Sequence, residues 1–335
     1  MTAPLHWCFA ASLLFVTISA AGSSRATPLS AGRVDGAVTR AEESDAGAAL
    51  FEKVWSVREG LGPFVNAQSC VACHSHPRRG GTATSPDNFV LFSPEVADPS
   101  GGHAFARFEL RPNRSTRVRT LPRLVSTRRP PPLFGLGLLE AVPTSRAPGR
   151  FGIKGRFRNI DEAVAAAFAN ELGLLAPQFG PNAQGEISGA DVRRVAQFIR
   201  LLPAPRPSAS VPEGRRAFDA IGCAGCHTPV LRTGASDIAS LRNQTIQPYT
   251  DLQLHDLGPA LGEGWDDGNA RATEFRTAPL WGLTAGGPPY LHDGRAATLE
   301  MAIETHGGEA TGSAAAFRRL TASERQHLLR FLRSL

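Results

Sequence analysis

Cys70-Val71-Ala72-Cys73-His74 and Cys223-Ala224-Gly225-Cys226-His227 decide how this chain of 335 residues is read. Two thiols three positions apart can each form a thioether with one vinyl group of a haem. A histidine directly after the second thiol is then placed to give the iron its fifth ligand. Two other chemistries use such pairs, a zinc site built from both or a thiol redox motif. Zinc ligands usually sit on one compact module, whereas these pairs are far apart with a proline-rich stretch between them. A redox dithiol does not need a histidine after each second cysteine. The reading is therefore two covalently bound c-type haems, attached at Cys70 and Cys73 and at Cys223 and Cys226, with His74 and His227 as iron ligands.

The chain is long enough for two domains. Residues 7–20, WCFAASLLFVTISA, form an apolar run followed by small residues, so residues 1–21 read as a secretory signal. The alternative is an uncleaved anchor, because only the terminal amine and His6 supply an n-region. No other stretch is long and apolar enough to span a bilayer, so stable membrane insertion beyond that segment is not expected. The expected location is periplasmic or secreted. Cys8 falls inside the signal, leaving four of the five cysteines, all in the two pentapeptides. The formal charge of +6 comes almost wholly from arginine. Without aromatic residues between the arginines, and in that compartment, it does not indicate nucleic-acid binding. The run from Arg107 to Arg129 reads as a solvated or propionate-facing region, or as a docking patch for an acidic partner.

Residues 22–47 have the small-residue composition of a mobile leader, and a helix is expected over residues 48–58. From His103 to Val125, alternations such as Phe105-Ala106-Arg107-Phe108-Glu109-Leu110 with proline punctuation predict short hairpin strands. Helical periodicity returns over Ile160–Leu175 and over Ser188–Leu202. Four prolines between Pro203 and Pro212 mark a linker. VAQFIRLL (Val195–Leu202) and LLRFLRSL (Leu328–Leu335) form a weak internal repeat, each closing a segment with one Cys-x-x-Cys-His unit. The expected fold is mainly α: two cytochrome c-like haem domains, residues 48–202 and 213–335, the first with a short β insertion, joined by residues 203–212.

YLHDGRAATLEMAIETHGG (Tyr290–Gly308) resembles the second domain of the bacterial diheme cytochrome c peroxidase superfamily. GRRAFDAIGCAGCHTP, QPYTDLQLHDLGP, FRTAPLWGL, RPPPLFGLGLLEAVP and GRFGIKG extend the likeness over Leu50–Leu335 to the di-haem oxidoreductase family, a group also labelled thiol oxidoreductases. The superfamily pattern ends in the distal ligand of the electron-transfer haem, a methionine in typical peroxidases and a tyrosine in relatives that mature a tryptophan-derived quinone. Here that position is His306. The resemblance thus implies that His306 is the sixth ligand of the second haem, with a lower potential than methionine would give. The rival is His255, in LQLHDLG. His292 and Arg295 are expected to hold their loop and a propionate; an ordinary turn is the alternative.

No comparable ligand is evident for the first haem. His76 is too close to His74 to reach the far face; His103 remains a candidate, as a ligand that leaves on activation. An open haem that reduces peroxide needs an acid/base group, and the resemblance places Glu140 there; the alternative is a helix-start or partner-paired glutamate. The expected function is a peroxidase-type diheme oxidoreductase. Peroxide is its small substrate, and a small redox protein is its electron donor or acceptor. The alternatives are a non-catalytic electron carrier and an oxidase acting on a partner protein or thiol. The resemblance also raises a calcium ion of the kind found between peroxidase domains, which the sequence does not place because it binds largely through backbone oxygens.

Overall fold

The computed structural model of the chain describes residues 40–111, 115–143, 149–177 and 187–335. The expected signal, most of the expected leader and Pro112 lie outside the described residues. Residues Thr39–Leu335 form one compact unit. Its helices are α1 (Arg40–Glu52), α2 (Leu136–Glu140), α3 (Ile160–Leu172), α4 (Gly189–Arg200), α5 (Pro212–Ala220), α6 (Leu299–Glu304), α7 (Thr311–Arg319) and α8 (Ala322–Ser334).

Local chemistry fixes the helix ends. The Asn159 side chain accepts from Glu162 N at the start of α3, and Gly173 ends that helix at φ 67°. The Ser188 hydroxyl accepts from Asp191 N to start α4, as N-cap residues do. Two of the expected helices thus fall where the periodicity puts them. The first does not: α1 begins at Arg40 and ends at Glu52, so the tail of the expected leader is helix. Its alanines favour helix, and α1 packs along α4, which supplies the tertiary contact that composition does not reveal.

The close approach of α1 to α4 is repeated by α5 and α8. An added Cβ at Gly47 would lie 1.9 Å from Arg194 O, and one at Gly214 would lie 2.1 Å from His327 O. Four residues on, Phe51 packs tilted against Phe198 with ring centroids 5.2 Å apart, and Phe218 packs edge-on against Phe331 at 5.4 Å. Two cores result. One gathers Phe51, Ile160, Phe168, Val195 and Phe198; the other gathers Phe218, Phe317, Leu328 and Phe331.

The correspondence runs through the loops. Gly135 N donates to Leu202 O, and Gly282 N to Leu335 O, both glycines having positive φ. Leu133 N donates to Gly80 O as Leu280 N does to Pro248 O. Phe151 bridges Phe157 and Tyr290 bridges Ala296. Within these two bridges, Gly152 and Gly155 match Leu291 and Gly294 in taking left-handed backbone conformations. Each bridge leads two residues later into a capping side chain, Asn159 for α3 and Thr298 for α6.

Short strands fill the remainder. β1 (Phe64–Val65), β4 (Phe108–Leu110) and β5 (Thr116–Val118) form one antiparallel sheet, and β2 (Val90–Phe92) pairs with β3 (Ala104–Phe105) and β6 (Ser126–Arg128) in another. These contain the strands expected between His103 and Val125. Two hairpin-like pairs follow, β7 (Leu231–Arg232) with β8 (Thr245–Ile246) and β9 (Leu254–Asp256) with β10 (Glu274–Arg276).

A third core of Leu139, Val142, Ile246, Leu252 and Trp281 joins residues from both sides of the proline-rich linker. A buried ionic network joins them again. Arg128 donates to both oxygens of Glu263 at 2.7 Å and pairs with Asp267 at 2.8 Å. Lys154, fully buried, donates to the carbonyls of Arg271, Ala272 and Glu274.

The glycine crossing gives the first prediction. Gly214→Ala forces a methyl group against the His327 carbonyl, so urea unfolding should show a loss of about 1–3 kcal/mol. Unchanged stability would mean that α5 and α8 are not in this close register.

Candidate functional site

Each Cys-x-x-Cys-His unit begins as one 3-10 turn, Cys70–Ala72 and Cys223–Gly225. Backbone bonds close both turns: His74 N donates to Cys70 O at 3.0 Å and His227 N to Cys223 O at 2.9 Å. The thiols of each pair therefore issue from a single turn, with the imidazole directly behind. The four cysteines are unpaired. Burial pushes the Cys70 and Cys73 thiols up to about 12 and Cys223 to about 11. A redox dithiol needs an accessible thiolate of lowered pKa, so this environment is wrong for one.

The histidines are held alike. His74 Nδ1 bonds Gly81 O at 3.0 Å, and His227 Nδ1 bonds Tyr249 O at 3.0 Å. A carbonyl only accepts, so Nδ1 carries the proton and the Nε2 lone pair is the one available to a metal. Burial lowers both pKa values, His227 to about 4, which keeps the rings neutral. Phe51 packs on His74 at 6.4 Å and Phe218 on His227 at 6.5 Å. The residue after each accepting carbonyl, Thr82 or Thr250, anchors its hydroxyl to a carbonyl of the facing loop, Pro130 O at 2.5 Å or Thr277 O at 2.7 Å. Paired thiols from one turn, with a neutral imidazole fixed through Nδ1, fit a haem at both places.

The structure brings His306 towards the second unit: Leu299 and Ile303 of α6, just before it, pack in one core with Cys223 and Ala224, and the presence of His306 helps to lower the His227 pKa. His306 Nδ1 folds back onto Ala302 O at 2.6 Å, and burial lowers its pKa. His255, the rival, is engaged at both nitrogens, with Asp251 and Glu309 each at 2.8 Å. These contacts offset the opposing effect of burial and raise its pKa, and they occupy both ring nitrogens, leaving neither free for an iron. His292 stacks on Phe275 at 4.0 Å and holds its loop. Arg295 is half exposed, bonded to Asp293 and Ala260 O. His76 is exposed, and His103 Nδ1 bonds Val96 O at 2.9 Å.

Glu140 lies at the end of α2. It accepts from Arg200 Nε at 2.6 Å and Nη2 at 3.1 Å and from Ile160 N at 2.8 Å. It is thus a partner-paired carboxylate. A second carboxylate has no forerunner in the sequence reading. Glu171, near the end of α3, accepts from Asn66 Nδ2 at 2.8 Å. Burial, reinforced by the charge of Asp98, pushes its pKa up to about 7. Glu171 is close enough to Cys73 for its charge to raise that thiol. Within ANELGLLAPQF it looks like an ordinary helix-end glutamate; only folding brings Asn66, Asp98 and Cys73 around it.

No group of three or more His, Cys, Asp or Glu side chains suited to a metal ion occurs among the described residues. The buried acids Glu263 and Asp267 are already neutralised by Arg128, Lys154 and Arg156. Calcium does not fit there. None of the described helices is long and apolar enough to cross a membrane.

Fold and site together define a protein with two copies of one cysteine-histidine unit, each built to hold a haem. A family model described as "Di-haem oxidoreductase, putative peroxidase" matches residues 163–335. The chain belongs to the di-haem oxidoreductase family, and haem is that family's cofactor. The matched residues include the second unit and His306, while the first unit rests on its own motif and geometry. Among solved structures, hydrazine synthase of Kuenenia stuttgartiensis, determined under xenon pressure, is similar in fold. Its TM-score is 0.52 at 17% identity over 97% of this chain and 100% of that chain. A MauG-like protein associated with microbial copper homeostasis gives 0.43 at 17% identity over 92% and 91%. No curated protein matches the chain.

Glu171 generates the second prediction. Its folded pKa lies above the ordinary value near 4.3, so its contribution to stability is complete below that value and is lost as pH rises towards 7. Glu171→Gln removes this loss. Unfolding measured from pH 4.5 to 7.5 should show the variant gaining on the natural protein by about 1–3 kcal/mol. Parallel curves would mean that Glu171 is not held protonated.

Proposed function

We propose that this chain is a periplasmic or secreted c-type oxidoreductase of the peroxidase kind, a diheme protein in which one iron is closed on both faces and the other is open. Cys70 and Cys73, and Cys223 and Cys226, would form the thioethers, His74 and His227 the near-face ligands, and His306 the far-face ligand of the second site. The observation that carries this reading is the matched pair of Cys-x-x-Cys-His turns, each with its imidazole held through Nδ1 so that Nε2 is left for an iron, in a chain of the di-haem oxidoreductase family. When bound, haem supplies electron transfer at an iron closed on both faces and peroxide reduction at one with a free position.

The protein's own part is orientation and proton handling. The Gly81 and Tyr249 carbonyls hold the two imidazoles in the tautomer that presents Nε2. Peroxide cleavage needs a proton moved between its oxygens. Glu171, close to Cys73 and titrating near neutrality, can hold that proton and release it. Glu140 is ion-paired with Arg200 and bonded as an acceptor. It becomes a proton donor only if that pairing opens. Electrons would come from a small redox protein.

The test is peroxide-dependent oxidation of a small reduced c-type cytochrome by the purified two-haem protein. Glu171→Gln should lower turnover by about 10²-fold or more with both haems retained, while Glu140→Gln has the smaller effect. The reverse order returns the proton role to Glu140. If the natural protein has two low-spin haems that peroxide leaves unchanged, it is an electron carrier instead.

A further inference from the structure

Between Arg107 and Arg129 the chain carries eight arginines and a single acid, Glu109. The fold sorts the described arginines into two sets. Arg107, Arg128 and Arg129 are taken up by carbonyls and carboxylates of the fold itself. Arg111, Arg117 and Arg123 are exposed. Arg119 lies between the sets and is held in place: its Nη1 donates to Ala106 O at 2.8 Å, and its guanidinium lies 4.5 Å from the centroids of the Phe64 and Phe105 rings.

Apolar side chains stand among these cations. Val118 on β5, the outer strand of its sheet, is 70% exposed, and Leu121 and Leu124 in the loop that follows are 57% and 56% exposed. Phe64, under Arg119, and Val125 are exposed as well. Five of the ten large hydrophobic side chains exposed among the described residues thus gather on one sheet and its following loop. Scattered exposure is ordinary, whereas such a cluster marks an interaction surface. The Glu95 carboxylate accepts from Arg123 N and Leu124 N at 3.1 Å each, so this loop is fixed through its backbone.

The same face is joined to the first Cys-x-x-Cys-His unit. Arg119 N donates to Arg107 O at 2.8 Å, and Arg107 N donates to Asn66 Oδ1 at 2.9 Å. Asn66 holds Glu171, and Arg107 and Glu171 are both close enough to Cys73 for their charges to act on it. A protein seated on β5 is thereby brought to the Cys73 edge of the first site.

We propose that this face docks a small acidic redox protein, whose carboxylates meet Arg111, Arg117 and Arg123 around an apolar centre of Val118, Leu121 and Leu124, and that electrons enter at the first site. The inference rests on the two-haem reading above and names the chemistry and the seat of its partner. The partner's metal centre loses one electron and the ferric iron of the first site gains it; no bond or proton is exchanged. An apolar centre with a polar rim is the anatomy of a protein interface, and complementary charge speeds the encounter. A second copy of this chain would set arginine against arginine. A lipid surface leaves the link to Cys73 without a use.

The experiment measures, by calorimetry, the binding of a small acidic ferric c-type cytochrome to the ferric two-haem protein. Stopped-flow absorbance then follows electron exchange between the two, in whichever direction their potentials drive it. The natural chain should bind the acidic cytochrome in preference to a basic one, and added salt should weaken the complex. Arg117→Glu with Arg123→Glu should weaken binding about tenfold or more and slow exchange in proportion. Leu121→Ser with Leu124→Ser should weaken it about threefold or more, and this pair decides the matter if the charge reversal does not fold. Arg206→Glu with Arg232→Glu, the same change of charge in the linker and on β7, should leave binding within about twofold. Preference for the basic cytochrome, or binding and exchange that neither β5 pair alters, overturns the proposal. So does a dimer, or adhesion to phosphatidylglycerol vesicles, that these variants abolish while cytochrome binding is unchanged. Peroxide turnover driven by a small chemical reductant is recorded alongside. Its absence with docking intact removes the peroxidase reading alone, and its presence with docking absent removes this inference alone.

Discussion

Everything chemical in this molecule depends on one hydrogen bond made twice: imidazole Nδ1–H to a backbone carbonyl, Gly81 for His74 and Tyr249 for His227. The bond chooses the tautomer and fixes the ring, and without it a histidine behind two cysteines is only a side chain on a short turn. The carbonyls are themselves fixed. Thr82 and Thr250 tie each accepting loop to the loop facing it, and Gly135 and Gly282 tie those facing loops to Leu202 and Leu335, just past the ends of α4 and α8. The closing helices in turn lie against α1 and α5 at glycines where no larger residue fits. A local imidazole geometry is thereby referred to two helix pairs.

Duplication explains how one frame can present two different sites. The parts that orient the proximal imidazole are the same in both halves, down to the glycines and the phenylalanine between histidine and helix. The parts beyond it differ: Glu171 with its Asn66 partner acts on Cys73 in the first half, whereas Asp251 and Glu309, joined through His255, act on Cys226 in the second. Between the halves, Arg128 and Lys154 are buried among acids and carbonyls of the second half. Breaking such a buried pair leaves a lone charge, which is far costlier than the pair is stabilising. The network therefore favours one arrangement of the two halves.

The cysteine units, α3, α4 and the strand-rich insertion were legible because each carries a local signal: spacing, periodicity, caps or alternation. The repeat of VAQFIRLL in LLRFLRSL was legible as well, and its two phenylalanines prove to sit at matching places, Phe198 on Phe51 and Phe331 on Phe218. The start of α1 was not, because its composition resembles a linker and only contact with α4 reveals the helix. PLFGL and PLWGL, at Pro132 and Pro279, could have shown the repeat more strongly than the helices do. Glu171 and the Lys154 network had no signal at all, since their character comes from residues distant in sequence. Glu140 stood out as a lone carboxylate in an apolar run, and its partner Arg200, sixty residues away, was invisible.

The most direct test of the central claim is peptide mass spectrometry of the mature protein after alkylation and proteolysis. The account predicts that the peptides containing Cys70–His74 and Cys223–His227 each carry one covalently bound haem and no alkyl group. Alkylated, unmodified cysteines at both pairs in the folded, active protein would contradict it.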